Sequence, residues 1–164
     1  MARKLVVYYS WKNSAASYMA QRIADAIDAD IEGIVPELAY NGNYDLAMER
    51  AKREVGCNFE PKIKPLQSNL EDYDEIIIGG PCWWQKMSSP VRTFLVKNRR
   101  RLAGKTVSCF ITNYGRKPWA IEDMESLLPE SCTVIPGMEI RFEDEDASCQ
   151  ETPDEQVTAW IETL

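Results

Sequence analysis

Three consecutive isoleucines, Ile76, Ile77 and Ile78, stand between Glu75 and Gly79, and this run constrains the fold more than any other segment. A strand that is apolar at successive positions is covered on both faces, as the central strands of a parallel sheet are. The stretch Lys4 to Tyr9, with Leu5, Val6, Val7 and Tyr8, reads as a second buried strand of this kind. Shorter strands are expected at Ile31 to Val35, Thr106 to Thr112 and Thr133 to Ile135.

Between the strands lie amphipathic stretches. Ala16, Ala20, Ile23 and Ile27 fall on one helical stripe. A second helix is expected from about Asn43, a good N-cap, to Gly56, with Tyr44, Ala47, Met48, Ala51 and Val55 on one face. Val91, Phe94, Leu95 and Leu102 mark a third, whose last turns carry Lys97, Arg99, Arg100 and Arg101. A shorter one is placed near Pro118, with Ile121, Met124 and Leu127. Thr152-Pro153-Asp154-Glu155 has the pattern of a capping box ahead of Val157, Trp160, Ile161 and Leu164. Strand–helix alternation repeated about five times means an α/β fold, a parallel sheet with helices on both faces. No internal repeat or boundary divides the chain, so residues 1–164 are read as a single domain.

Composition narrows the chemistry. The absence of histidine removes Ser-His and Cys-His nucleophile pairs and histidine metal ligands. Five cysteines, widely spaced and without a CxxC pair, suit reduced thiols in the cytosol better than a disulfide framework or zinc site. The net charge of −7 argues against nucleic-acid binding. No segment has the length of a membrane span, and the N-terminus lacks a signal-peptide pattern, so a cytoplasmic protein is expected.

In open parallel sheets, ligands bind beyond the carboxyl ends of the strands. That rule selects the loops after Tyr9, Gly79 and Thr112. Asp72-Tyr73-Asp74-Glu75-Ile76-Ile77-Ile78-Gly79-Gly80-Pro81-Cys82-Trp83-Trp84, followed by Ser89-Pro90-Val91-Arg92-Thr93-Phe94-Leu95, is similar to the flavodoxin pattern of strand, glycine, Pro-x-Trp-Trp and helix opening. Glu49 to Glu54, Pro61-Lys62-Ile63, Phe110 to Gly115 and Trp160-Ile161 resemble other parts of the same family. The resemblance implies a three-layer, doubly wound, flavodoxin-like fold with five parallel strands in the order 2-1-3-4-5, and FMN at the carboxyl edge.

A flavin ring needs aromatic walls, and a pair of neighbouring tryptophans cannot both point inward. Trp83 or Trp84 is therefore expected to face the crevice; the alternative packs one under the loop and the other on the next helix. Pro81 and Cys82 precede them, with Cys82 read either as a neighbour of the ring or as an inert buried thiol. Thr112, Asn113, Tyr114 and Gly115 offer a second wall and polar groups, or simply form an ordinary turn. For the phosphate the family uses S-x-T-G-N-T; here Ser10, Trp11, Lys12, Asn13, Ser14, Ala15 and Ala16 keep the serine but not the glycine or threonines. Ser10, Asn13 and Ser14 are candidate polar groups and Lys12 a candidate positive charge. The acidic run Glu143-Asp144-Glu145-Asp146 is either a docking patch or a solvated loop.

The expectation is an FMN-binding electron-transfer protein, monomer or dimer, serving a redox partner protein or an NAD(P)H-linked reductase. It has no catalytic side chain of its own, no metal and no membrane or nucleic-acid partner. The alternatives are a small FMN-dependent NAD(P)H:quinone-type oxidoreductase and a flavin-free interaction module that kept the fold.

Overall fold

The isoleucine run sits at the centre of the sheet. In the computed structural model, which describes residues 1–144 and 149–164, β3 (Glu75–Trp83) lies between β1 (Lys4–Tyr8) and β5 (Thr106–Asn113). β2 (Asp30–Gly33) and β6 (Thr133–Arg141) form the two edges, giving the path β2-β1-β3-β5-β6 with every neighbour parallel. A short antiparallel strand, β4 (Lys86–Met87), pairs only with the end of β3. With β4 set aside, the five parallel strands run 2-1-3-4-5, as the resemblance implied.

Alternation along the inner strands feeds two cores. Val6 and Ile77 point to one face, against Met19, Ala20 and Ile23 of α1 (Ala15–Ile27) and Val157 and Ile161 of α5 (Asp154–Ile161). Leu5, Val7, Ile76 and Ile78 point to the other, against α2 (Tyr44–Gly56), α3 (Ser89–Leu102) and α4 (Ala120–Ser126). Each fully buried isoleucine contributes about 1.5–3 kcal/mol, so apolarity on both faces is strongly selected by this three-layer arrangement.

Three local expectations need correction. β3 runs four residues past Gly79 because Gly80 and Pro81 still pair with Ile111 and Thr112 of β5. β6 continues through Pro136 and Gly137, where an irregularity in register lets an edge strand absorb a proline. A Cβ on Gly137 would stand 2.4 Å from the Cys109 carbonyl oxygen, so glycine permits that close approach. The capping box before α5 does not form: Thr152 Oγ1 accepts the Arg141 amide at 2.7 Å, and Pro153 takes the cap position.

Candidate functional site

The carboxyl ends of β1, β3 and β5 open into a crevice, and three connections shape it. The first leaves β1. Ser10 Oγ donates to the Lys12 carbonyl at 2.7 Å and shares a hydrogen bond with Ser14 Oγ at 2.7 Å, which folds the loop back onto the start of α1. Ser14 is the N-cap, and its amide donates to Ser17 Oγ at 3.0 Å. Lys12 has a φ of 60°, the left-handed conformation that lysine rarely takes. Its ammonium donates to the Gly42 carbonyl at 3.0 Å and lies 4.4 Å from the Trp11 ring centre.

The second connection is the β3–β4 hairpin. Trp83 pairs with Lys86, so Trp84 and Gln85 form a two-residue turn with φ of 47° and 69°. Positive φ at both positions is the twist such hairpins prefer, usually with Asn-Gly. Non-glycine residues held there cost about 1–2 kcal/mol each. Two bonds hold the turn: Gln85 Nε2 donates to the Lys117 carbonyl at 3.0 Å, and the Gln85 carbonyl accepts the Trp119 amide at 2.9 Å. The turn also separates the two tryptophans. Trp83 is 7% exposed and packs edge-on against Tyr9 and Tyr40, whereas Trp84 is 43% exposed.

The third connection follows β5 and is tied by Asn113. That side chain accepts the Gly115 amide at 3.0 Å and donates to the Arg116 carbonyl at 2.9 Å and to the Glu139 carboxylate at 2.6 Å. Arg141 adds a bond to the Gly115 carbonyl at 2.8 Å. Tyr114, at the tip, is half exposed and faces the crevice.

The outer part of the crevice is a cleft of about 580 Å³ bordered by Trp84, Tyr114 and Gly115, and it adjoins a narrower inner part. Cys82, Trp83 and Asn113 wall both parts, while Ser14, Ala15, Pro81 and Thr112 line the inner one. Four expected residues stand apart from the lining. Ser10 braces the loop from behind, Lys12 is turned to Gly42, and Asn13 is exposed. Ala16 is fully buried in the core, so only its backbone could take part. Burial pushes the Cys82 thiol up to about 12, which makes it an inert wall rather than a thiolate. Of the acidic run, Asp144 lines the inner cleft, whereas Glu145 and Asp146 lie outside the described residues.

The sequence reading missed Trp11, Tyr44, Met48, Gln85, Arg116 and Phe142, all of which border the crevice. Tyr44 and Met48 lie on the face expected of the second helix; they belong to the first turns of α2, which reach the mouth of the crevice. Trp11 contacts Tyr44 edge-on at 5.8 Å and donates to the Asn41 carbonyl at 3.3 Å, joining the two loops.

A doubly wound parallel sheet with an aromatic crevice at its carboxyl edge defines the class. The sequence pattern of flavodoxins matches residues 3–164, and the chain belongs to the flavodoxin family. Among solved structures, a protein from Bacteroides eggerthii shares 22% identity over 100% of this chain and 98% of its own, with a TM-score of 0.77. A Lactobacillus acidophilus flavoprotein in complex with FMN is 23% identical over 98% of this chain and 99% of its own, with a TM-score of 0.72. The apo form of an NADH:FMN oxidoreductase is 14% identical over 97% of this chain and 87% of its own, with a TM-score of 0.60.

The residues present suit a flavin mononucleotide. Trp84 and Tyr114 expose aromatic faces to one cleft. Its inner end meets the start of a 13-residue helix, where first-turn amides have no intrahelical partner and serve a phosphate. The Ser14 hydroxyl lines this inner end, and Ser10 Oγ is hydrogen-bonded to it at 2.7 Å.

Proposed function

We propose that this protein binds one FMN in the crevice and transfers electrons through it. The observation that carries the reading is the placement of two half-exposed aromatic side chains, Trp84 and Tyr114, on a cleft whose inner end meets the first turn of α1. Bound flavin would supply the redox chemistry. Ser14, Ala15 and the backbone at Ala16 would hold the phosphate, with Ser10 positioning the loop. Trp84 and Tyr114 would cover the ring, and the bonds of Asn113 and Gln85 keep both loops in place for it. Lys12 would add positive charge on leaving Gly42. Among the described residues of the crevice, the Cys82 thiol is held protonated by burial and histidine is absent from the sequence, which favours a carrier over a hydrolytic or group-transfer enzyme. A redox partner protein or NAD(P)H-linked reductase would supply or receive the electrons at the exposed aromatic rim.

The test is the visible absorption of the purified protein, before and after adding FMN and removing the excess. Retained flavin that is reduced only through an added reductase supports a carrier. Direct, rapid oxidation of NAD(P)H would instead assign an oxidoreductase, and a folded protein that retains no flavin would sink the reading.

A further inference from the structure

Behind the Trp84 wall lies a cluster that flavin binding alone does not require. Tyr9, Tyr40 and Trp83 are all buried and meet as a triangle of edge and tilted contacts, with ring centres 5.9, 5.7 and 5.2 Å apart. Trp83 lines the crevice, whereas Tyr40 lies away from it against α2. There its hydroxyl donates to Glu54 Oε2 at 2.5 Å. Glu54 is itself buried, its other oxygen accepts Arg50 Nε at 2.8 Å, and the Arg50 guanidinium lies 4.0 Å from the Tyr40 ring centre.

The chemistry of this arrangement is specific. A phenol that loses an electron becomes a strong acid and must give up its proton, so a buried tyrosine is oxidisable only where a base waits at hydrogen-bond distance. Burial and the Glu54 contact hold the Tyr40 phenol protonated at ordinary pH, so electron loss and proton loss go together. The guanidinium over the ring disfavours a positive charge on it, which further requires the proton to leave with the electron. Arg50 also fixes the acceptor: it donates to Oε1 and leaves Oε2 to Tyr40. Among the bonds of the described residues, Tyr9 has no such carboxylate, so the two tyrosines touching Trp83 are not equivalent.

We propose that Trp83, Tyr40 and Glu54 form a relay that draws an oxidising equivalent out of the cofactor crevice and holds it on Tyr40. This rests on the FMN reading for its source. With FMN bound and photoexcited, Trp83 would give up one electron to it and become a tryptophan radical cation. Tyr40 would then return one electron to Trp83 and pass its phenolic proton to the Glu54 carboxylate. In balance, one electron would pass to the cofactor, Tyr40 would become a neutral radical, and Glu54 would become a carboxylic acid.

The experiment illuminates FMN-loaded protein in the presence of a cobalt(III) ammine complex, which removes the electron from the flavin, and reads the trapped radical by electron paramagnetic resonance. The wild type is expected to show a neutral tyrosyl signal. Tyr40→Phe, which keeps the ring contacts, is expected to lose it and leave a tryptophan signal. Glu54→Gln, which keeps the shape of the acceptor but not its basicity, is expected to cut the tyrosyl yield at least tenfold and leave a tryptophan signal. An undiminished tyrosyl signal in Tyr40→Phe, or an unchanged tyrosyl yield in Glu54→Gln, would overturn the relay. Flavin content is read by absorption on each sample. A protein that holds no FMN refutes the functional reading alone, and the relay is then tested on the same variants with a soluble ruthenium photo-oxidant and the same criteria.

Discussion

Trp83 and Trp84 are adjacent in sequence and opposite in role, and replacing each by alanine separates the two. Trp83 is 7% exposed and makes edge contacts with Tyr9 and Tyr40. Its truncation removes a buried indole and leaves a cavity, costing about 3–5 kcal/mol. In a chain of this size each kcal/mol moves the melting temperature by about 2–4 °C, so Trp83→Ala should melt roughly 6–20 °C lower. Trp84 is 43% exposed, sits at a turn tip and makes no core contact of this kind. Its truncation should stay within about 1 kcal/mol, a few degrees at most. The order reverses for flavin, where loss of an exposed aromatic face of about 0.5–1.5 kcal/mol weakens FMN binding by roughly two- to twelvefold. Thermal melts of the apo variants and fluorescence titrations with FMN measure both quantities. Equal melting temperatures, or an unchanged FMN affinity in Trp84→Ala, would refute this division of roles.

Gly79→Ala should unfold the protein or lower its melting temperature sharply in a thermal melt, because the new Cβ would stand 2.1 Å from the Phe110 ring. The Arg101 guanidinium beside Glu71 holds its carboxyl down to about 2. A carboxyl depressed on folding stabilises above its ordinary value near 4.5 and loses that effect as pH falls towards 2, so urea midpoints of wild type and Glu71→Gln should converge over that window. Cys82, raised to about 12 by burial, should resist alkylation at pH 8 in the folded protein while the exposed Cys57 and Cys149 react, as mass spectrometry after timed labelling would report. Gln85→Gly removes strain of about 1–2 kcal/mol but also the bond to Lys117, worth about 0.5–1.5 kcal/mol, so stability should barely change. Amide exchange in the hairpin should nevertheless quicken and FMN affinity fall.

The sheet was legible because its signal is physical burial on two faces: Ile76 to Ile78 and Leu5 to Val7 admit no exposed side. Strand ends were not. Gly80-Pro81 and Pro136-Gly137 read as stops from the residue types, yet both continue in strands because pairing to β5 outweighs a missing amide or side chain. The crevice was half legible. Tyr114 and Ser14 stood out by chemistry and by position after a strand, and Trp84 only as one of a pair with Trp83. The hairpin did not, since Trp84-Gln85 lacks the Asn-Gly signal and is held instead by Lys117 and Trp119, some thirty residues away. Tyr44 and Met48 were hidden for a different reason: helical periodicity assigns a face, but not which turn of that face overhangs a ligand.

Backbone strain in this molecule is concentrated where function is proposed. Among the described residues, five non-glycine residues have positive φ. Asp28 ends α1 and Asn58 closely follows α2, positions where a left-handed residue terminates a helix and where aspartate and asparagine are well suited. The others, Lys12, Trp84 and Gln85, are residue types that resist this conformation, and all belong to loops around the crevice. Each is held by bonds to a distant segment: Lys12 to Gly42, and the hairpin to Lys117 and Trp119. The strained residues therefore owe their geometry to the surrounding fold rather than to local preference. A crevice assembled in this way meets its ligand with both aromatic faces already placed, and it is the part of the fold most exposed to loss of order when any one of those tethers is cut.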